Sequence, residues 1–279
     1  MRVRFVDVDG TRTRLLHAGA ADRYPVLLLH GFGVSADTWL HNIDPLSDAF
    51  QVCAPDMVGH GFTEPVDFAG GPPHGPTVRH LCRLADTLGL ERFCVSGNSY
   101  GGLIGALMYF EMPDRVDKLV INGSGSCFNT EAELAEALDG ALQNARPAIT
   151  DPTLESCRRR LANIVHDPEA VPEAVLLAQL TSYAQPWIAP SWVQAIRGMM
   201  RMEASRPYRI LDRLEALDVD TLVVWGRQDR RGRLESARAG VARMPRARLV
   251  TFDRCGHMPF LEHPAAYNDL LREFLAEKV

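Results

Sequence analysis

The chain has 279 residues, 46% of them hydrophobic and 23% charged, with a formal net charge of −5. These proportions are ordinary for a globular protein, and a net negative chain has no electrostatic reason to bind nucleic acid. No apolar run approaches the roughly 20 residues needed to span a bilayer, and the alternating start MRVRFVDVDG lacks the apolar core of a signal peptide, so no membrane partner and a cytoplasmic location are expected.

Residues 2–8 and 13–17 read as two strands joined by the turn Asp9-Gly10, a hairpin signal. Residues 25–29 form a continuous apolar run ending in His30-Gly31-Phe32-Gly33. Such a run suits a strand buried on both faces of a parallel sheet. Residues 50–54 look alike and end at Pro55-Asp56. A helical pattern follows over 77–88, closed by Gly89. A short buried strand over 93–95 runs into Gly97-Asn98-Ser99-Tyr100-Gly101-Gly102, and a helix over 103–110 stops near Pro113. A further strand covers 118–121.

Strand and helix alternate to this point, which argues for a parallel sheet with helices on both faces. Over 128–207 the buried-strand signal vanishes, and only helical stretches such as 131–144 and 172–183 remain. Sheet-type sequence returns at 220–226 and 247–252. The expected organisation is one α/β core, residues 1–127 and 208–279, interrupted by a helical lid at 128–207.

Gly97-Asn98-Ser99-Tyr100-Gly101 matches G-x-S-x-G between an apolar strand and a helix. A sharp strand-to-helix turn needs glycine on either side and projects the serine hydroxyl out of the sheet. A serine nucleophile needs a base, and the base an orienting carboxylate. Asp229 follows one predicted strand and His257 the next, giving the chain order Ser, Asp, His that this arrangement requires. His17, His41, His74, His80 and His166 read as surface groups, and His263 starts the last helix. His30 reads as a residue that shapes its own turn. Backbone amides of Phe32 and Tyr100 are the expected oxyanion donors.

The six cysteines (Cys53, Cys82, Cys94, Cys127, Cys157 and Cys255) show no CxxC pair and read as free thiols. There is no metal-ligand spacing and no G-x-G-x-x-G fingerprint at a strand-to-helix turn, so no cofactor is expected. The arginine clusters at 158–160 and 227–233 read as solvated faces or local ion pairs.

Five segments together resemble a known family: residues 30–33, the stretch APDMVGHGFTEP at 54–65, GNSYGG at 97–102, WGRQDR at 225–230 and Cys255-Gly256-His257. They look like the meta-cleavage product hydrolases, cofactor-free serine hydrolases that split a carbon–carbon bond in ring-fission products of aromatic degradation. The resemblance implies the α/β-hydrolase fold, a mostly parallel sheet flanked by helices, and places Gly31, Gly33, Asn42, Asn98, Gln179, Trp187 and Met258 at the substrate. A small hydrophobic substrate is the implied partner, and a homodimer is compatible with it.

Three departures bear on the substrate. Phe32-Gly33-Val34-Ser35 stands where the family has Ser-Gly-Pro-Gly, and Met258 where it has Trp. The lid arginine that grips the substrate carboxylate aligns with Gln179, which offers neither charge nor a bidentate fork. Either Arg197, Arg201 or Arg206 takes over, or the substrate lacks a carboxylate there. Phe128, Tyr183, Trp187, Trp192, Met199, Met200 and Met202 would give the pocket an apolar roof. Cleavage beside a ketone in a diketone-like compound is the first expectation. A carboxylesterase or lactonase with the same triad is the alternative, and a ligand-binding protein without turnover a third. Dehalogenase and epoxide hydrolase readings need a carboxylate at position 99.

Overall fold

Val26, Leu27, Leu28 and Leu29 are all fully buried, although successive side chains of a strand point to opposite faces. Leu27 and Leu29 pack with Leu81, Ile104 and Met108 on one side. Val26 and Leu28 pack with Trp39, Phe260 and Leu271 on the other. A strand covered on both faces has no reason to alternate, which accounts for the unbroken apolar run.

The computed structural model describes residues 1–277. Eight strands form one sheet: β1 (Arg2–Val8), β2 (Thr11–Ala18), β3 (Pro25–Leu29), β4 (Gln51–Pro55), β5 (Phe93–Asn98), β6 (Val116–Asn122), β7 (Asp220–Gly226) and β8 (Ala247–Phe252). Their order is β1-β2-β4-β3-β5-β6-β7-β8, with β2 antiparallel to both neighbours and every pair from β4 to β8 parallel. Helices α1 (Leu40–Leu46), α2 (His74–Thr87) and α3 (Tyr100–Glu111) lie between these strands. From β6 to β7 the described residues contain no strand, only α4 (Gly125–Phe128), α5 (Glu131–Thr150), α6 (Leu154–Ala162), α7 (Glu173–Tyr183), α8 (Ile188–Met199), α9 (Met202–Ser205) and short 3₁₀ turns. The chain closes with α10 (Leu234–Val241), α11 (Pro259–Glu262) and α12 (Pro264–Ala276). This is the α/β-hydrolase architecture.

Several ends follow from local chemistry. A capping box starts α5: the Thr130 side chain accepts from the Glu133 amide while Glu133 accepts from the Thr130 amide at 2.9 Å. Helix α2 begins at His74, ahead of the expected residue 77, because Pro76 is tolerated in a first turn. Both His74 and His80 are buried on α2 rather than at the surface as expected, His80 with its Nε2 2.8 Å from Thr13 Oγ1 of β2.

One polar network sets the loops above the sheet. Arg14 of β2 grips Asp37 through both terminal nitrogens, at 2.6 and 2.7 Å, and reaches Asp56 at 3.1 Å. Asp56 in turn accepts from the amides of Ala36 at 2.8 Å and Phe62 at 2.9 Å. Burial opposes the charge on Asp37, but the Arg14 guanidinium still holds its carboxyl below the usual range. Asp56 has no solvent exposure, so Arg14→Met would strand a buried carboxylate. The expected loss is about 3–5 kcal/mol, read from urea denaturation near neutral pH. A loss under about 1 kcal/mol, the worth of a surface pair, would show that the network does not hold these loops.

Candidate active site

Ser99 is the single residue between the end of β5 and the start of α3. Its backbone sits at φ 53 and ψ −115, a left-handed region that costs a side-chain-bearing residue roughly 1–3 kcal/mol. The neighbours explain how the strain is held. A Cβ on Gly97 would lie 2.1 Å from the Gly101 carbonyl oxygen. One on Gly101 would lie 2.5 Å from the carbonyl oxygens of Leu29 and His30. The turn is packed backbone against backbone, and the Ser99 amide donates to the Asn122 carbonyl at 2.8 Å.

Asp229 follows β7, with its side chain 1% exposed. Its Oδ1 accepts from the amides of Arg231 at 2.7 Å and Gly232 at 3.2 Å. His257 lies in the loop after β8, and its Nδ1 stands 2.9 Å from Asp229 Oδ2 and 3.1 Å from Oδ1. A carboxylate at that distance fixes the proton on Nδ1 and leaves Nε2 as the acceptor. The His257 amide donates to the Ile164 carbonyl at 2.9 Å, and its carbonyl accepts from Asn98 Nδ2 at 3.0 Å. Asn98 also donates to the Asn122 carbonyl at 3.1 Å, so it ties the serine turn to the histidine loop.

Ser99 and His257 line one cavity of about 110 Å³ together with Gly31, Phe32, Asn98, Tyr100 and Met258. The helical segment closes it with Leu138, Ala141 and Ala145 of α5, Ile164 and Met199. The amides of Phe32 and Tyr100 donate to no protein acceptor among the described residues. Tyr100 opens α3, where the first amides have no intrahelical acceptor and the helix dipole favours negative charge. His30 is fully buried, and its Nε2 accepts from the Met57 amide at 2.9 Å. Among the described residues no cluster of three or more His, Cys, Asp or Glu could hold a metal ion.

Four of the residues expected at the substrate, Gly33, Asn42, Gln179 and Trp187, do not line this cavity. Asn42 is fully buried outside this cavity, donating to the Phe260 carbonyl at 3.1 Å and to Asn268 at 2.8 Å. It clamps α1 to α11 and α12. Gln179 lines a separate void of about 10 Å³ with Gly33, His60 and Trp192, and its amide approaches Ser182 at 3.4 Å. Trp187 packs half-buried against the core, and Gly33 turns its carbonyl toward Arg160 and Tyr183. Arg197, Arg201 and Arg206 do not line the Ser99 cavity, and of the expected roof only Met199 does.

The cations that do line it are Arg160 and Arg231. Arg160 is 5% exposed, so the expectation of a solvated face or local ion pairs at residues 158–160 fails at that one position, while Arg158 and Arg159 are exposed. Its terminal nitrogens donate to the carbonyls of Gly33 at 2.6 Å and Phe32 at 3.3 Å, and the group lies over the Tyr183 ring. It has no carboxylate partner among the described residues. Burial first, then repulsion from Arg231, pulls its pKa down. A signal was present in sequence: Cys157, Arg160, Leu161 and Ile164 recur at helical spacing, and all are buried. His60 was also passed over. It is buried, kept neutral by desolvation at a pKa of about 3, and packs edge-on against Phe32 at 5.1 Å.

A strained serine at a strand-to-helix turn, above a parallel sheet and beside an Asp–His pair, defines a hydrolase of the α/β type. Residues 26–270 match the model described as the alpha/beta hydrolase family, and the chain belongs to that family. It is 30% identical to a 2-hydroxymuconate semialdehyde hydrolase of Pseudomonas sp. strain CF600, over 98% of this chain and 94% of the relative. It is 29% identical to a 2-hydroxy-6-oxononadienedioate/2-hydroxy-6-oxononatrienedioate hydrolase of Cupriavidus pinatubonensis, over 98% and 94%. Among solved structures, the 2-hydroxy-6-oxo-6-phenylhexa-2,4-dienoate hydrolase of Rhodococcus sp. strain RHA1 superposes with a TM-score of 0.82 at 28% identity, covering 99% of this chain and 100% of that one. Its kinship is with the carbon–carbon bond hydrolases of meta-cleavage pathways, as the sequence resemblance implied. No helix among the described residues is long and apolar enough to cross a membrane.

The placement of Asn42 has a measurable consequence. Asn42→Ala should cost about 1–3 kcal/mol of stability by unpairing buried partners, while kcat/KM changes by no more than about twofold. A large fall in kcat/KM with stability unchanged would return Asn42 to the substrate.

Proposed function

We propose that the protein hydrolyses a carbon–carbon bond beside a ketone in a small, largely apolar, diketone-like compound that carries a carboxylate. The observation that carries this reading is the composition of one cavity: Ser99, a carboxylate-paired His257 and the unpaired cation of Arg160. Kinship with hydrolases named for ring-fission dienoates supports the bond type.

In this mechanism His257 Nε2 takes the Ser99 proton as Oγ attacks the ketone carbon. The amides of Phe32 and Tyr100 stabilise the oxyanion, each worth on the order of 3 kcal/mol. Collapse breaks the carbon–carbon bond and leaves an acyl group on Ser99, and the departing carbanion or enolate takes the proton from His257. Water, deprotonated by His257, then releases the acyl group and restores the serine. Asp229 holds the imidazole in the required tautomer and stabilises its charged form. Every step uses groups of this chain, so no cofactor is invoked.

Arg160 supplies the selectivity that Gln179 would have denied. A guanidinium buried without a counter-ion is costly, and a substrate carboxylate would relieve both its desolvation and its repulsion from Arg231. Such a charge-assisted, two-pronged contact is worth more than a neutral hydrogen bond.

Ser99→Ala should remove turnover by several orders of magnitude with the fold intact, because triad members act as a unit. Retention of more than about a tenth of wild-type activity would refute the assignment. The companion experiment sets ring-fission ketones against p-nitrophenyl esters, each with and without a carboxylate. Arg160→Gln should lower kcat for carboxylated and neutral ketones alike by loosening the Phe32 loop, and should in addition raise KM for the carboxylated ones roughly tenfold or more relative to the neutral ones. Faster turnover of neutral esters than of any ketone would favour a carboxylesterase instead.

A further inference from the structure

The loop that carries His257 has no strand or helix ladder to receive its amides, yet a buried amide must find an acceptor. Residues 256–258 meet this need with consecutive bonds to two places. The His257 amide goes to the Ile164 carbonyl, and the amides on either side of it go to one side chain. Glu262 accepts from Gly256 at 2.9 and 3.0 Å through its two oxygens, and from Met258 at 3.1 Å through Oε1. Its Oε2 also accepts from the His166 amide at 2.7 Å. A weaker contact from Cys255 Sγ to Oε1, at 3.9 Å, completes the set.

Local structure brings the carboxylate there. Pro259 opens α11, a single turn in which the amides of Leu261 and Glu262 both donate to the Met258 carbonyl at 2.9 Å. The turn folds the chain back, so its last residue meets amides four and six positions earlier. Glu262 forms no ion pair among the described residues, so both oxygens remain for these donors. Amide bonds to a carboxylate are stronger than those to a neutral acceptor. A glutamine has one acceptor oxygen where glutamate has two, and it would turn an N–H donor on either the loop or His166. The side chain is half-buried, so water can reach amides that a variant sets free. What a variant loses is then direction more than fold.

We infer that Glu262 is the positioning residue of the general base: by holding the peptide groups on both sides of His257, it aims Nε2 at Ser99. It rests on the proposed role of His257 and deepens it. Asp229 fixes the tautomer and one edge of the ring, but a ring on a loose backbone can swing about that contact. A misplacement of about 1 Å can cost on the order of 100-fold in rate.

Two variants test the assignment: Glu262→Gln, which keeps the side-chain shape, and Glu262→Ala. Circular dichroism and thermal melting establish that each is folded. With p-nitrophenyl butyrate and a ring-fission ketone as probes, kcat should fall roughly 10- to 100-fold while KM stays within about twofold. A purely structural tie would lower the melting temperature and leave kcat of the folded protein unchanged. The second readout needs no turnover. It is the set of ring nitrogen and carbon resonances of His257 in histidine-labelled protein, assigned by their absence in His257→Gln. They should broaden or divide in both variants, because the ring samples more than one orientation. The inference is overturned if those resonances match wild type in a folded variant, or if kcat changes by less than about twofold. A protein whose His257 resonances respond but which turns over neither probe keeps the positioning and loses the catalytic reading. One that turns over a probe while the resonances stay put loses the positioning alone.

Discussion

The guanidinium of Arg160 is the contact on which the site's shape depends. It leaves α6, enters the protein with almost no exposure, and ends on the carbonyls of Phe32 and Gly33. Carbonyl oxygens offset part of the desolvation of a cation but cannot neutralise it. The residual positive charge is therefore stored beside Ser99, on a wall that the helical segment and the loop after β3 build together. The same bonds fix the peptide planes of that loop, which hold the Phe32 amide in the cavity wall. From below, Asp56 holds the loop through the Ala36 amide, with Arg14 as counter-ion. Two arginines thus set one loop, one by shedding charge into it and one by cancelling charge beneath it.

The parts of the fold that were legible in sequence are those governed by short-range rules. β3 and β7 show as apolar runs because parallel strands are covered on both faces. The serine turn shows because only glycine fits where backbones touch at Gly97 and Gly101. Asp229 and His257 show because each follows a strand in the required order. The structure extends the expected helix over 103–110 back to Tyr100, next to the serine.

What was misread depends on partners far away in the chain. Asn42 donates to Asn268, 226 positions later, and no local pattern announces that. Gln179 and Arg160 both lie on helices between β6 and β7. Which of them faces Ser99 is settled by how those helices dock, not by their own periodicity. An arginine inside an otherwise apolar stripe was discounted because arginine is usually solvated. That rule fails here because the carbonyls of Phe32 and Gly33 receive the guanidinium. His74 and His80 follow the same logic: His74 stacks on Tyr208 and His80 meets Thr13, 67 positions away.

The bond from the His257 amide to the Ile164 carbonyl joins the histidine to the helical segment that closes the cavity. Gly256, just before it, lies so close to the backbone of Val165 and His166 that a Cβ would fall 2.6 Å from the His166 nitrogen. The imidazole is therefore positioned from two sides: its ring by Asp229 in the core, its backbone by the segment after α6. If residues 164–166 swing away to admit a substrate, they take a backbone support of the histidine with them. On the proposed mechanism, His257 would then be fully seated as proton acceptor only with residues 164–166 in place, so that closure and chemistry would form one interlocked state.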